Sequence, residues 1–152
     1  MSRLVLSLIA SLAVVLVGCG STAASDAESI RAGLNGFPRD FNNKDLEATC
    51  GLFAEDVVLN FPGRPPENGR AEFCDKIRGR FADPAKTYTY AEPEIREVLV
   101  DGDLATVALT WTLTVRDKSG TVLETVREDG VDVFRRQSDG SWRIHISHAF
   151  PT

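Results

Sequence analysis

Three cysteines, two histidines and one methionine in 152 residues leave this chain little with which to hold a transition metal. No Cys-x-x-Cys spacing occurs and neither histidine lies near a cysteine, so no metal site is expected. A phosphate-cradling glycine loop and a serine-nucleophile motif are also missing. With them go nucleotide hydrolysis of the P-loop type and acyl transfer from a nucleophile elbow, and no cofactor is expected. Positive charge is scarce: 17 Lys and Arg face 22 Asp and Glu, a balance of −5. Arg78, Arg80, Arg135 and Arg136 come nearest to a basic cluster, without interleaved aromatics, so a nucleic-acid partner is not expected. The longest apolar run, Leu4 to Val17, falls short of the roughly 20 residues that a membrane span needs.

That run follows one cation, Arg3, and ends in Leu16-Val17-Gly18-Cys19. A charged start, an apolar stretch and a small residue before the break are the parts of a cleaved secretory signal. The four-residue ending resembles the lipobox of bacterial lipoproteins, which implies that Cys19 is lipidated, palmitate included, and becomes the mature N-terminus. The alternative is an ordinary signal peptide that contains a cysteine. The resemblance implies a protein held outside the cytoplasm, its partner the bacterial membrane to which the N-terminal lipid anchors it. Residues 1–18 are then signal, 19–24 a lipidated start with a tether of small residues, and 25–152 one domain, the size of a single core.

With Cys19 given to lipid, Cys50 and Cys74 remain in an oxidising compartment, where a disulfide is the default and two buried thiols the alternative. Ser25-Asp26-Ala27-Glu28 reads as a capping box, followed at helical spacing by Ile30, Leu34, Phe37 and Phe41, with a kink or break expected near Pro38. Asn42 to Asp45 form a turn and cap before a second short helix carrying Leu46, Cys50 and Phe53 on one face. Val57 to Phe61 is a strand candidate, and the three prolines and two glycines of residues 62–69 require a loop. A third helix places Phe73, Cys74, Ile77 and Phe81 on its inner stripe. From Lys86 the period changes to two, and Asp101-Gly102, Ser119-Gly120 and Asp139-Gly140 sit at hairpin positions. A four-stranded antiparallel meander over about 87–100, 103–117, 121–136 and 141–150 follows. In its second strand Trp111 shares the apolar face and threonines occupy the other.

The fold class is therefore α+β, with three N-terminal helices packed on one face of a curved antiparallel sheet. Asp45-Leu46, Leu52-Phe53-Ala54-Glu55-Asp56-Val57, Pro62-Gly63, the Gly69 loop entering a helix and Gly140-Ser141-Trp142-Arg143-Ile144 occur in an order that resembles the nuclear-transport-factor-2-like (NTF2-like) superfamily. The SnoaL-like and DUF4440-like branches are the nearest in pattern, and the resemblance spans nearly all of residues 27–150. It implies a cone-shaped domain whose sheet and helices enclose a pocket. The same scaffold serves isomerases, cyclases, dehydratases, ligand binders and interaction modules, so the residues must choose among them.

In ketosteroid-isomerase-like members a carboxylate near the end of the first strand is the general base, and a tyrosine in the first helix helps hold the oxyanion. The matching positions here are Asn60 or Phe61 and Phe37, which can do neither job. Asp132 matches the acidic member of the oxyanion site; otherwise it is a strand-face carboxylate paired with Arg116 or Arg143. His148 matches the second histidine of a terminal Trp-x-x-x-His-x-His pattern and shares strand parity with Trp142, Ile144 and Ile146, while His145 falls on the other face. For both histidines the plainer reading is a structural or surface role. Phe37, Phe41, Asn60, Phe61, Trp111, Asp132, Phe134 and His148 are thus the pocket candidates, with Asn60, Asp132 and His148 its polar points. The expected function is binding of a small, largely apolar ligand without turnover. An enzyme of isomerase, cyclase or hydrolase type using Asp132 or His148 would instead show a pocket carboxyl of strongly raised pKa. A homodimerising interaction module, working through the threonine face, would show a filled cone.

Overall fold

The computed structural model describes residues 20–152; the signal segment 1–18 and Cys19 lie outside the described residues. Three helices, α1 (Gly20–Asn42), α2 (Leu46–Gly51) and α3 (Arg70–Ala82), accompany seven strands. The strands are β1 (Phe53–Asn60), β2 (Glu67–Asn68), β3 (Lys86–Tyr90), β4 (Glu94–Asp101), β5 (Leu104–Asp117), β6 (Val122–Arg136) and β7 (Trp142–Pro151). They form one sheet in the order β2-β1-β7-β6-β5-β3, with β4 also paired to β5. β5 and β6 run for 14 and 15 residues, and strands of that length accumulate enough twist to curl the sheet into a half-barrel closed by the helices.

The apolar stripe of α1 does what its spacing dictates. Ile30, Leu34, Phe37 and Phe41 are all buried and enter one core with Val57, Leu59, Ile77, Val107, Leu109, Phe134 and Ile144. Asp45 caps α2, its carboxylate accepting from the Ala48 N–H at 3.0 Å. The loop before α3 ends at Gly69, whose φ of 89° suits glycine, while its N–H donates to the Val57 carbonyl at 2.7 Å.

Four local expectations are corrected. α1 begins at Gly20, so residues 20–24 are helix rather than tether, and Ser25 lies inside it, its hydroxyl turned back to the Thr22 carbonyl. The reason is tertiary: Asp26 receives two hydrogen bonds from Arg136, at 3.0 and 2.6 Å, and one from Trp142 Nε1, which clamps the start of α1 to the far end of the sheet. Pro38 is buried within an unbroken helix, without the N–H that Leu34 would otherwise receive. The strand expected over 87–100 is two strands, because Pro93 in the Ala91-Glu92-Pro93 connection has no N–H for the ladder and both halves pair separately with β5. Finally, β1 joins the meander by lying parallel to β7.

Cys50 on α2 and Cys74 on α3 are joined in a disulfide, with Cα atoms 6.0 Å apart. Thiol labelling of the denatured, unreduced protein is expected to find neither sulfur free. Quantitative labelling of both would show that the pair does not form in the isolated protein.

Candidate functional site

Alternation along β7 is interrupted once, and that interruption decides what faces the interior. Ile144 pairs with Phe134 and Ile146 with Val133, so β7 spends two residues where β6 spends one. The extra residue is His145, a β-bulge, and every side chain beyond it is turned to the opposite face. Trp142 and Ile144 point inward before it, Ser147 and Ala149 after it. His148 therefore sits on the outer face, exposed and stacked on Phe150 at 6.4 Å between ring centroids, and not in the pocket where unbroken parity puts it. Asn60 pairs with His148 and shares its exile, whereas Phe61 reaches the interior. His145 also lies outside, its Nδ1 3.3 Å from the Asp56 carboxylate that Arg135 holds through two hydrogen bonds of 2.7 and 3.0 Å. No group of residues able to hold a metal occurs among the described residues.

The interior has two adjoining parts. An inner chamber of about 70 Å³ lies between α1 and the sheet, with Asp132 and Ser147 on its floor and Phe37 and Trp111 in its walls. An outer cleft of about 850 Å³ widens from it toward α3 and the 61–67 loop. Phe61, Phe73, Tyr90 and Glu128 border both and form the neck. Of the remaining candidates, Phe41 lies in the core behind Tyr90, 4.8 Å between centroids, and Phe134 is fully buried; neither lines the space.

Asp132 is 1% exposed, and burial pushes its carboxyl up to about 6 against a hydrogen bond from Ser147 that pulls the other way. It pairs with neither expected arginine: Arg116 donates to Thr89 and Arg143 reaches Asp139. Glu128 lies mid-strand in β6 at the inward parity of Asp132. Burial raises its carboxyl too, and Arg64 and Arg80 oppose that rise from the cleft. Tyr90 is raised by burial, countered by the nearby Arg80 guanidinium, which also hydrogen-bonds its hydroxyl. The Tyr90 backbone is held from both sides by one side chain: Asn42 Nδ2 donates to its carbonyl, and its N–H donates to Asn42 Oδ1, both at 2.9 Å. The polar set of the interior is thus Asp132, Ser147, Glu128 and Tyr90. Only Asp132 was singled out from sequence, although the shared parity of Glu128 and Asp132 was a readable signal.

The profile of the SnoaL-like domain family matches residues 34–145. Among solved structures, a ketosteroid isomerase-like protein from Erwinia carotovora atroseptica is 25% identical and superposes with a TM-score of 0.67, covering 83% of this chain and 95% of its own. A nuclear transport factor 2-like superfamily protein from Salmonella enterica serovar Typhimurium gives 0.68 at 18% identity, over 84% of this chain and 92% of its own. A conserved protein from Planctomyces limnophilus gives 0.71 at 20%, over 85% and 99%. No curated protein matches the chain.

Proposed function

The chain belongs to the SnoaL-like domain family, and from that premise we propose that it binds a small, largely apolar ligand in its cone without converting it, while a lipid on Cys19 anchors it outside the cytoplasm at a bacterial membrane. The observation that carries the reading is that chamber and cleft adjoin across a shared border of Phe61, Phe73, Tyr90 and Glu128. The chamber of about 70 Å³ sets a few polar groups, Asp132, Ser147 and Glu128, in mainly apolar walls, as ligand sites do, and the adjoining cleft of about 850 Å³ is rimmed by charged side chains such as Arg64, Lys76 and Arg80. An interaction module with a filled cone is disfavoured by the same space. The Cys50–Cys74 disulfide supports an oxidising compartment.

Turnover of the ketosteroid-isomerase kind lacks its parts at the expected places. Phe61 stands inward at the end of the first strand, and Phe37 has no hydroxyl to stabilise an oxyanion. One observation favours the enzyme reading: Asp132, its carboxyl raised to about 6, lines the chamber as an acid–base group, with Tyr90 among the residues around the same space. Native mass spectrometry of the protein purified from its own host is expected to show a co-purifying small molecule, released intact on unfolding. If steroid, polyketide-like or epoxide substrates yield product with the wild type and none with Asp132→Asn, the protein is an enzyme.

A further inference from the structure

The chamber walls contain six aromatic residues, Phe37, Phe53, Phe61, Phe73, Tyr90 and Trp111, and their charge is of one sign. Asp132 and Glu128 line it, and no lysine, arginine or histidine does. Arg64 and Arg80 stand in the outer cleft and offset Glu128, Arg80 also bonding the Tyr90 hydroxyl, but neither acts on Asp132, while Lys76 is taken up by Glu67 and Glu72 at 3.0 and 2.9 Å. Asp132 is left with the Ser147 hydroxyl as its hydrogen-bond donor, and no cation pairs with it among the described residues. A carboxylate accepts about four hydrogen bonds, and a buried one without a counter-charge is costly.

Resting on the ligand-binding reading above, we propose that the chamber receives the primary ammonium group of an organic amine, whose apolar body extends through the neck into the outer cleft. Three N–H donors would satisfy the open acceptor sites of Asp132, and the ring faces of Phe37, Tyr90 and Trp111 attract a cation electrostatically. A carboxylate or phosphate head is repelled at the same place by Asp132 and Glu128. The volume of about 70 Å³ holds a head of a few heavy atoms, so the remainder of the ligand must lie outward.

Titration calorimetry of the full chain at pH 7.5 with 2-phenylethylamine, 2-phenylethanol and 3-phenylpropionate tests this. The amine is expected to bind about ten- to a hundred-fold more tightly than the alcohol, the range of a hydrogen bond to a charged group. The anion is expected to bind least. In Asp132→Asn the amine and the alcohol should bind alike. The preference should also shrink between pH 7.5 and 5 as Asp132 takes up a proton. Glu128 and Tyr90 are the other titratable groups of the chamber, and Glu128→Gln should retain most of the preference, because Arg64 and Arg80 already offset that carboxylate. Equal binding of amine and alcohol by the wild type, or tighter binding of the anion, overturns the ammonium assignment and leaves the apolar-ligand reading standing. Binding of none of the three at millimolar concentration, together with no co-purifying molecule, overturns both.

Discussion

Phe37→Ala is expected to lower the free energy of unfolding by about 3–5 kcal/mol, the cost of deleting a large aromatic from a close-packed interior. Phe37 is 6% exposed and its ring lies 5.2 Å from Trp111, 5.3 Å from Tyr90, 5.8 Å from Phe41 and 6.1 Å from Phe53, centroid to centroid. Three of these pairs are edge-on, an arrangement that adds to the area term. It is also where α1 touches the chamber, so the void left by the mutation joins a space that already exists and cannot close fully. Urea unfolding at constant slope gives the number, and Phe37→Leu should recover more than half of it. A loss below about 1 kcal/mol would mean that the four rings repack without their hub. The side chain that fails to supply an oxyanion donor thus has another task, to hold Tyr90 and Trp111 in the walls.

How far such features can be read from sequence depends on the range of the interaction that sets them. The stripe Ile30, Leu34, Phe37, Phe41 is local, so periodicity finds it and also orients it. The threonine alternation of β5 is equally plain. The start of α1 is different: residues 20–24 carry no apolar period, and the tertiary anchor beside them is the contact of Asp26 with Arg136 and Trp142, 110 and 116 residues away. Bulges are a third case. Ile144-His145-Ile146 looks like ordinary alternation, and only the pairing with Val133 and Phe134 shows that one residue is surplus. That single residue sends His148 outward and brings Ser147 to the floor, while Asn60 faces out by the plain alternation of β1 beyond buried Val57 and Leu59. Asp132 was legible because its position matches the acidic member of the oxyanion site in the superfamily that the sequence resembles. Tyr90 was not, since a side chain of α1, Asn42, fixes where its strand ends.

Asp132→Asn is expected to make the protein more stable than the wild type at pH 7.5, by at most roughly 3 kcal/mol, and to match it below pH 4. The carboxyl is raised from 3.8 to about 6 by burial, so between those values the native state holds a proton that the unfolded chain has released. Stability contributed by the neutral acid is complete below pH 4 and is lost as pH rises through 6. Asparagine keeps the shape and can still bond Ser147, but it has no charge to bury. Other carboxylates slope the opposite way: Asp26, held down by Arg136, and Glu94, held down by Arg127, favour the fold above their unfolded values in both proteins. The difference between variant and wild type, from urea midpoints at pH 4, 5.5 and 7.5 and one ionic strength, therefore isolates Asp132. A difference that does not change with pH, or a variant less stable at pH 7.5, would mean that the carboxylate has a counter-charge in the folded protein. The expected result would instead show that the chain keeps a destabilising charge on the floor of an aromatic chamber where a neutral isostere fits. A retained cost of that kind is what the proposed binding of a cationic group by Asp132 requires.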